Sequence, residues 1–193
     1  MAWNPEHKQQ TRERILNNAA RLFSTRGFDG VSIDQVMQEA GMTRGAFYSH
    51  FSSKSALYAE SMKFAARQAV NGVKARCSSA SPHQMIETYL SQQHRSGDPF
   101  RCPLAFLITD VSQQDEAVRQ TYTRLFRGFV ENLSPQHSAA EREQLLQQAV
   151  MMIGGMAIAR ALSDDKLATE LLQACRSAII PAGTEIDPDQ TSA

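Results

Sequence analysis

The sequence predicts an all-α fold in two parts, a compact N-terminal unit of three helices and a longer helical body behind it. Three observations carry that expectation. Apolar residues recur at helical spacing along most of the chain, and no window alternates as a half-buried strand does. Capping residues and glycines mark helix entrances and exits. Composition is globular, 42% hydrophobic and 21% charged over 193 residues, with ample length for a sizeable core.

The first helix runs from about Glu6 to Arg26, with Ile15, Leu16, Ala19, Leu22 and Phe23 on one stripe. Gly27 follows where a left-handed cap sits, and Phe28 can fold back onto the last turn. At the second helix Ser32 is the N-cap, Gln35 completes a capping box, and Val31 and Val36 hold staple positions. Ile33, Val36, Met37 and Ala40 form its apolar stripe and Gly41 ends it. Thr43 then caps a third short helix reaching about Phe51, with Phe47 and Phe51 inward. That leaves Arg44, Gly45, Tyr48 and Ser49 outward and His50 at the edge. Ser52 or Ser53 caps a fourth helix from about Lys54 to Arg76.

"CSSASP" (77–82) breaks the composition and divides the two parts. Ser81-Pro82 opens a helix carrying Met85, Ile86, Tyr89 and Leu90, and "RSGDPF" (95–100) reads as a turn. Further helices are expected over 101–112, 115–133, 138–162 and 164–179. The Pro, Asp, Thr and Ser content of residues 181–193 predicts a disordered tail.

Charge is divided as well. Residues 1–76 hold eleven Lys/Arg against six Asp/Glu, and the remainder holds nine against fourteen. A basic front and an acidic body suggest separate tasks. The start, "MAWNPEHKQQ", lacks the apolar region of a secretory signal, and "AVMMIGGMAIA" (149–159) is too short to span a bilayer, so a cytoplasmic protein without membrane association is expected. Cys77, Cys102 and Cys175 form no CxxC pair and have no histidine at ligand spacing, which argues against a metal site. No cofactor motif is present.

Two short helices meeting at a glycine and braced by a third describe a helix-turn-helix, whose second helix fits the DNA major groove. On that reading Gly45 allows close approach and Arg44 reaches a base edge or a phosphate. Tyr48 and His50 hydrogen-bond phosphates, and Lys54 neutralises one.

The stretches "ILNNAARLFSTRGFDGVSIDQV", "AGMTRGAFYSHF" and "SKSALY", in order and without gaps within residues 11–62, resemble the DNA-binding domain of the TetR/AcrR family of bacterial transcriptional regulators. The resemblance implies base contacts from Thr43 and Arg44, close approach at Gly45 and Ala46, and backbone contacts from Tyr48, His50, Lys54 and Ser32. It divides the chain into a helix-turn-helix DNA-binding domain over 1–56, a connecting helix over 54–76, and a ligand-binding and dimerisation domain over 77–180. In the body, "CPL" followed by D-x-x-V-R within residues 101–133 is similar to a segment of many members.

Such proteins are homodimers binding a double-stranded DNA operator, with the last two helices forming the interface. Here 145–162 is apolar on more than one face, Gly154-Gly155 permits close helix approach, and 164–179 adds a second stripe. An effector pocket is expected among Tyr89, Phe106, Tyr122, Phe126, Phe129, Met151, Met152 and Met156. With only Arg119, Arg124 and Arg127 nearby, the expected effector is apolar or aromatic. The function expected is a ligand-responsive regulator, a repressor released by that effector, and not an enzyme.

Three alternatives stand beside it. Arg101 could lower the pKa of Cys102 and make it an electrophile or oxidant sensor. Cys102 and His94, close in sequence, are the only pair that suggests an enzyme, and no acyl-transfer or phosphate-binding motif accompanies them. A helical interaction module would leave the basic face merely solvated.

Overall fold

The computed structural model describes residues 5–76, 82–96, 101–134 and 138–180. Cys77, the "CSSASP" boundary up to Ser81, residues 97–100 of the expected turn and the 181–193 tail lie outside them. Among the described residues there are eleven helices and no strand. The head comprises α1 (Pro5–Arg26), α2 (Ile33–Glu39), α3 (Arg44–Phe47) and the start of α4 (Lys54–Arg76). The body comprises α5 (Pro82–Tyr89), α6 (Gln92–Ser96), α7 (Pro103–Phe106), α8 (Ile108–Val111), α9 (Glu116–Leu133), α10 (Ala139–Ala161) and α11 (Asp165–Ile179).

Local chemistry fixes the boundaries of these elements. The Ser32 hydroxyl accepts the Gln35 amide at 3.1 Å, while Gln35 Oε1 accepts the Ser32 amide at 2.8 Å. Gly41 takes φ +68°, and the Met42 amide bonds back to Met37 O at 2.8 Å, a Schellman closure that only glycine adopts without strain. Ser53 caps α4 by accepting the Ala56 amide at 3.0 Å. In the body, Asp115, Ser138 and Asp164 cap α9, α10 and α11.

Three expectations change. Thr43 stands at the N-cap of α3 but makes no side-chain cap bond, and the regular helix stops at Phe47; turn bonds such as His50 N to Phe47 O (2.9 Å) carry the chain on to Phe51. Arg95 and Ser96 belong to α6 rather than a turn, because the Ser91 hydroxyl accepts the His94 amide at 3.2 Å and restarts a helix. The expected helix over 101–112 is two single turns broken at Leu107 (φ −109°, ψ 5°). The break serves two cores: Leu104 and Ala105 face the body core, whereas Leu107 and Val111 enter the head core.

The head core gathers Ile15, Leu16, Phe23, Val36, Phe47, Phe51, Leu57 and Tyr58, closed from the body side by Leu107, Val111 and Val118. The body core joins Tyr89, Leu104, Val130, Met152, Met156 and Leu172. Phe106, Tyr122 and Leu125 pack against both. Head and body are also bonded through Asp110 of α8. Its carboxylate accepts the Phe28 amide through both oxygens at 3.1 Å, and it accepts the Tyr58 phenol. Burial, then Asp110, push the Tyr58 pKa far up, so the phenol stays a donor.

Candidate nucleic-acid interface

The turn between α2 and α3, with the entrance of α4, presents one continuous polar surface. Asp29, Ser32, Asp34, Arg44 and Lys54 line an open depression of about 430 Å³. Three of the expected DNA contacts, Ser32, Arg44 and Lys54, therefore meet in one place. Lys54 Nζ lies 4.2 Å from the centre of the Phe28 ring, a cation–π contact that holds the ammonium at the rim. Arg44 Nη1 is 2.6 Å from Asp34, a partner that the spacing of the sequence did not disclose.

Along α3 and the turn after it, Thr43, Gly45 and Tyr48 are exposed, Tyr48 to 62%. Its ring stands edge-on against buried Phe47, which aims the hydroxyl outward. A Cβ at Gly45 would meet only Thr43 Oγ1, at 4.0 Å. Nothing in the chain itself requires glycine there. Ala46, by contrast, is half-buried and packs on the head core.

His50 is half-buried, and burial, then the charges of Lys8 and Arg12, hold its pKa below the usual imidazole value. Those two cations belong to α1, which brings its N-terminal half to the same surface. Arg12 also pairs with Glu60 at 3.3 Å and lies 4.9 Å from the Phe51 ring centre. The only sequence signal for Lys8 and Arg12 is the basic excess of the first helix, which does not say where they point.

In the body, the expected effector residues divide. Tyr89, Met152 and Met156 are buried, while Phe106, Tyr122, Phe126, Phe129 and Met151 are half-buried against the same core. Arg119 is held by Glu116 and Arg124 by Thr121. Arg101 and Arg160 instead lie over Phe106, and sequence spacing gave no signal for Arg160.

Cys102 is placed in the body core. Its thiol is buried, accepts the Tyr89 hydroxyl at 3.4 Å and is pushed up by desolvation, whereas the Arg101 guanidinium reaches away to Ser24 O. Tyr89 also packs edge-on against the His94 ring, 4.5 Å between centroids, and so contacts both members of the suggested enzymatic pair. The described residues contain no cluster of His, Cys, Asp or Glu suited to a metal, and none of their helices is long and apolar enough to cross a membrane.

An all-helical body carrying a helix-turn-helix head, with a polar and basic tip, defines a DNA-binding protein of the helix-turn-helix class. Residues 15–60 match the family model described as bacterial regulatory proteins, tetR family. Over these residues the chain is similar to the DNA-binding domain of the TetR/AcrR family of bacterial transcriptional regulators. An uncharacterised HTH-type transcriptional regulator from the lacX 3′ region of Lactococcus lactis is 28% identical over 136 residues, 65% of this chain and 69% of that one. The HTH-type transcriptional regulator AcrR of Shigella flexneri is 46% identical over 55 residues, only 28% of this chain and 26% of its own. A TetR-family transcriptional regulator from Cytophaga hutchinsonii shares the fold with a TM-score of 0.71 at 15% identity, covering 92% of this chain and 96% of that one.

Proposed function

We propose that the chain acts as a homodimeric repressor that reads a palindromic operator through α3 and is released by a small effector held in its body. The observation that carries the DNA-reading part is the space at Gly45. A glycine on an exposed helix is disfavoured unless something outside the chain must come close, and it sits between Arg44 and Tyr48, which supply the polar contacts. Ser32, Thr43, His50 and Lys54 complete the contact set.

The dimer rests on α10 and α11. Leu146, Val150, Gly154 and Ile158 recur every four residues along one side of α10; Val150 is 64% and Ile158 55% exposed, and a Cβ at Gly154 would meet nothing. Gly155 serves the chain's own packing, since a Cβ there would lie 2.7 Å from Cys175 Sγ on α11. The two adjacent glycines thus support two different helix approaches. Paired heads one helical turn apart, ~34 Å, suit a two-fold symmetric site.

The effector's apolar or aromatic part is assigned to the Tyr89, Phe106, Tyr122, Phe126, Phe129, Met152 and Met156 cluster, in which the Tyr89 hydroxyl donates to the Cys102 thiol. Selection of genomic fragments by the purified chain tests the reading. Enriched fragments sharing an inverted repeat are expected; enrichment no better than for random sequence overturns it.

A further inference from the structure

Three arginines converge where the body meets the head, and their pairing is unequal. Arg95 is fully engaged: Nε donates to Ala159 O at 2.8 Å, Nη2 to Leu162 O at 3.2 Å, and Nη1 to Asp165 at 2.7 Å. It closes the C-terminal end of α10, and a carboxylate balances its charge.

Arg101 and Arg160 are placed differently. Both guanidinium groups lie over the ring of Phe106, at 3.7 Å from its centre for Arg160 and 5.6 Å for Arg101. Arg160 gives one N–H to Arg95 O at 2.6 Å, and Arg101 gives one to Ser24 O at 3.2 Å. A guanidinium carries five N–H donors, and among the described residues neither group has a carboxylate partner. Burial, then Arg101 and Arg95, push Arg160 down to about 10. An arginine does not relieve such crowding by losing its proton at neutral pH; a bound anion does. This basic pair sits in the acidic part of the chain, over Phe106, which like Tyr122 packs against both cores.

We propose that Arg101 and Arg160 form the anion-reading end of the effector site, taking the carboxylate of a small organic acid whose apolar part lies along Phe106 and Tyr122. This deepens the ligand-responsive reading above and rests on it. The same contact offers a route to the DNA. Ser24 lies in the last turn of α1, so a carboxylate that draws Arg101 off Ser24 O loosens the body's hold on the head.

The test uses the full chain with benzoate and octanoate as probes and benzamide and octanamide as neutral counterparts, at constant ionic strength because DNA affinity depends on salt. Calorimetry on the DNA-free protein should show at least one acid binding and neither amide. Arg160→Gln should weaken that acid at least tenfold while keeping wild-type affinity for a selected operator fragment. If Arg160→Gln fails to fold by circular dichroism, Arg101→Gln, which leaves Arg160 on its ring, serves for the calorimetry alone, because it also removes the bond to Ser24 O. The bound acid should lower operator affinity at least fivefold. Binding of neither acid, equal binding of the amides, or an unweakened variant overturns the anion site. Loss of operator recognition without any probe present overturns the regulator reading instead, and the calorimetric result stands apart from it.

Discussion

Arg44 Nη1 lies 2.6 Å from a carboxylate oxygen of Asp34, joining the first residue of α3 to the second residue of α2 across the turn. Both side chains are more than half exposed, at 61% and 57%, so the pair adds at most about 1 kcal/mol to the fold. On the proposed function its effect is on recognition. An arginine that meets DNA must leave Asp34, and the carboxylate left behind repels phosphate.

Asp34→Asn is therefore expected to leave stability within about 1 kcal/mol and to tighten binding to unrelated duplex. Its salt dependence should steepen by about one unit, as Arg44 becomes free to neutralise a phosphate. Titrations from about 50 to about 200 mM salt check this, and an unchanged slope rules out Asp34 as a restraint.

At Gly45 the fold and the proposed function pull in opposite directions. The nearest atom to an added Cβ is Thr43 Oγ1 at 4.0 Å, and helix propensity favours alanine by roughly 1 kcal/mol. Gly45→Ala should match or exceed the wild type in thermal denaturation while losing operator affinity about tenfold or more. A variant that is more stable and binds equally well would show that the backbone does not approach DNA there.

The head was legible because its signals are local. Ser32 and Gln35 announce a capping box, Gly41 a left-handed turn, and Phe47 and Phe51 an inward face, each within a few residues. What escaped depends on distant side chains meeting. Nothing near Arg44 in sequence points to Asp34, ten residues back, and Arg160 lies far from Arg101 and Phe106 along the chain. The burial of Cys102 is hidden for the same reason, since a neighbouring arginine in sequence says nothing about burial. Residue type places Thr43 at the N-cap but does not set its rotamer, and it makes no side-chain cap bond.

Asp110 ties the two parts together, and its loss should show in stability. Asp110→Ala strands the Phe28 amide and the fully buried Tyr58 phenol, costing about 3 kcal/mol. Tyr58→Phe added to Asp110→Ala should cost less than the two single losses combined, because each removes the other's partner. Denaturant unfolding of the four proteins measures the coupling, and simple additivity would deny the bond any weight.

His50 predicts a pH dependence. In the unfolded chain it gains a proton as pH falls through about 6.5. In the native state burial, Lys8 and Arg12 delay that uptake to lower pH. Below about 6.5 the unfolded state therefore binds more protons, and native stability falls with pH until His50 is protonated in the folded state too. His50→Gln should flatten that decline. If wild type and variant lose stability in parallel below this pH, the decline has another source.

The outer side of α10 offers the most direct test of assembly. Leu146, Val150 and Ile158 expose apolar surface in a row while Ala149, Met152 and Met156, on the opposite side, are buried, so the row stabilises nothing within the chain itself. Val150 is 64% exposed, and a lysine there meets solvent in a monomer but a facing apolar helix in a dimer. Val150→Lys should leave the helical circular dichroism unchanged, convert the sedimenting species from dimer to monomer, and weaken binding to a two-half-site operator far more than to a single half-site. The second comparison separates assembly from recognition: a monomer reads a half-site as well as ever, whereas a damaged head fails on both. A variant that sediments as a dimer would move the interface off this face of α10.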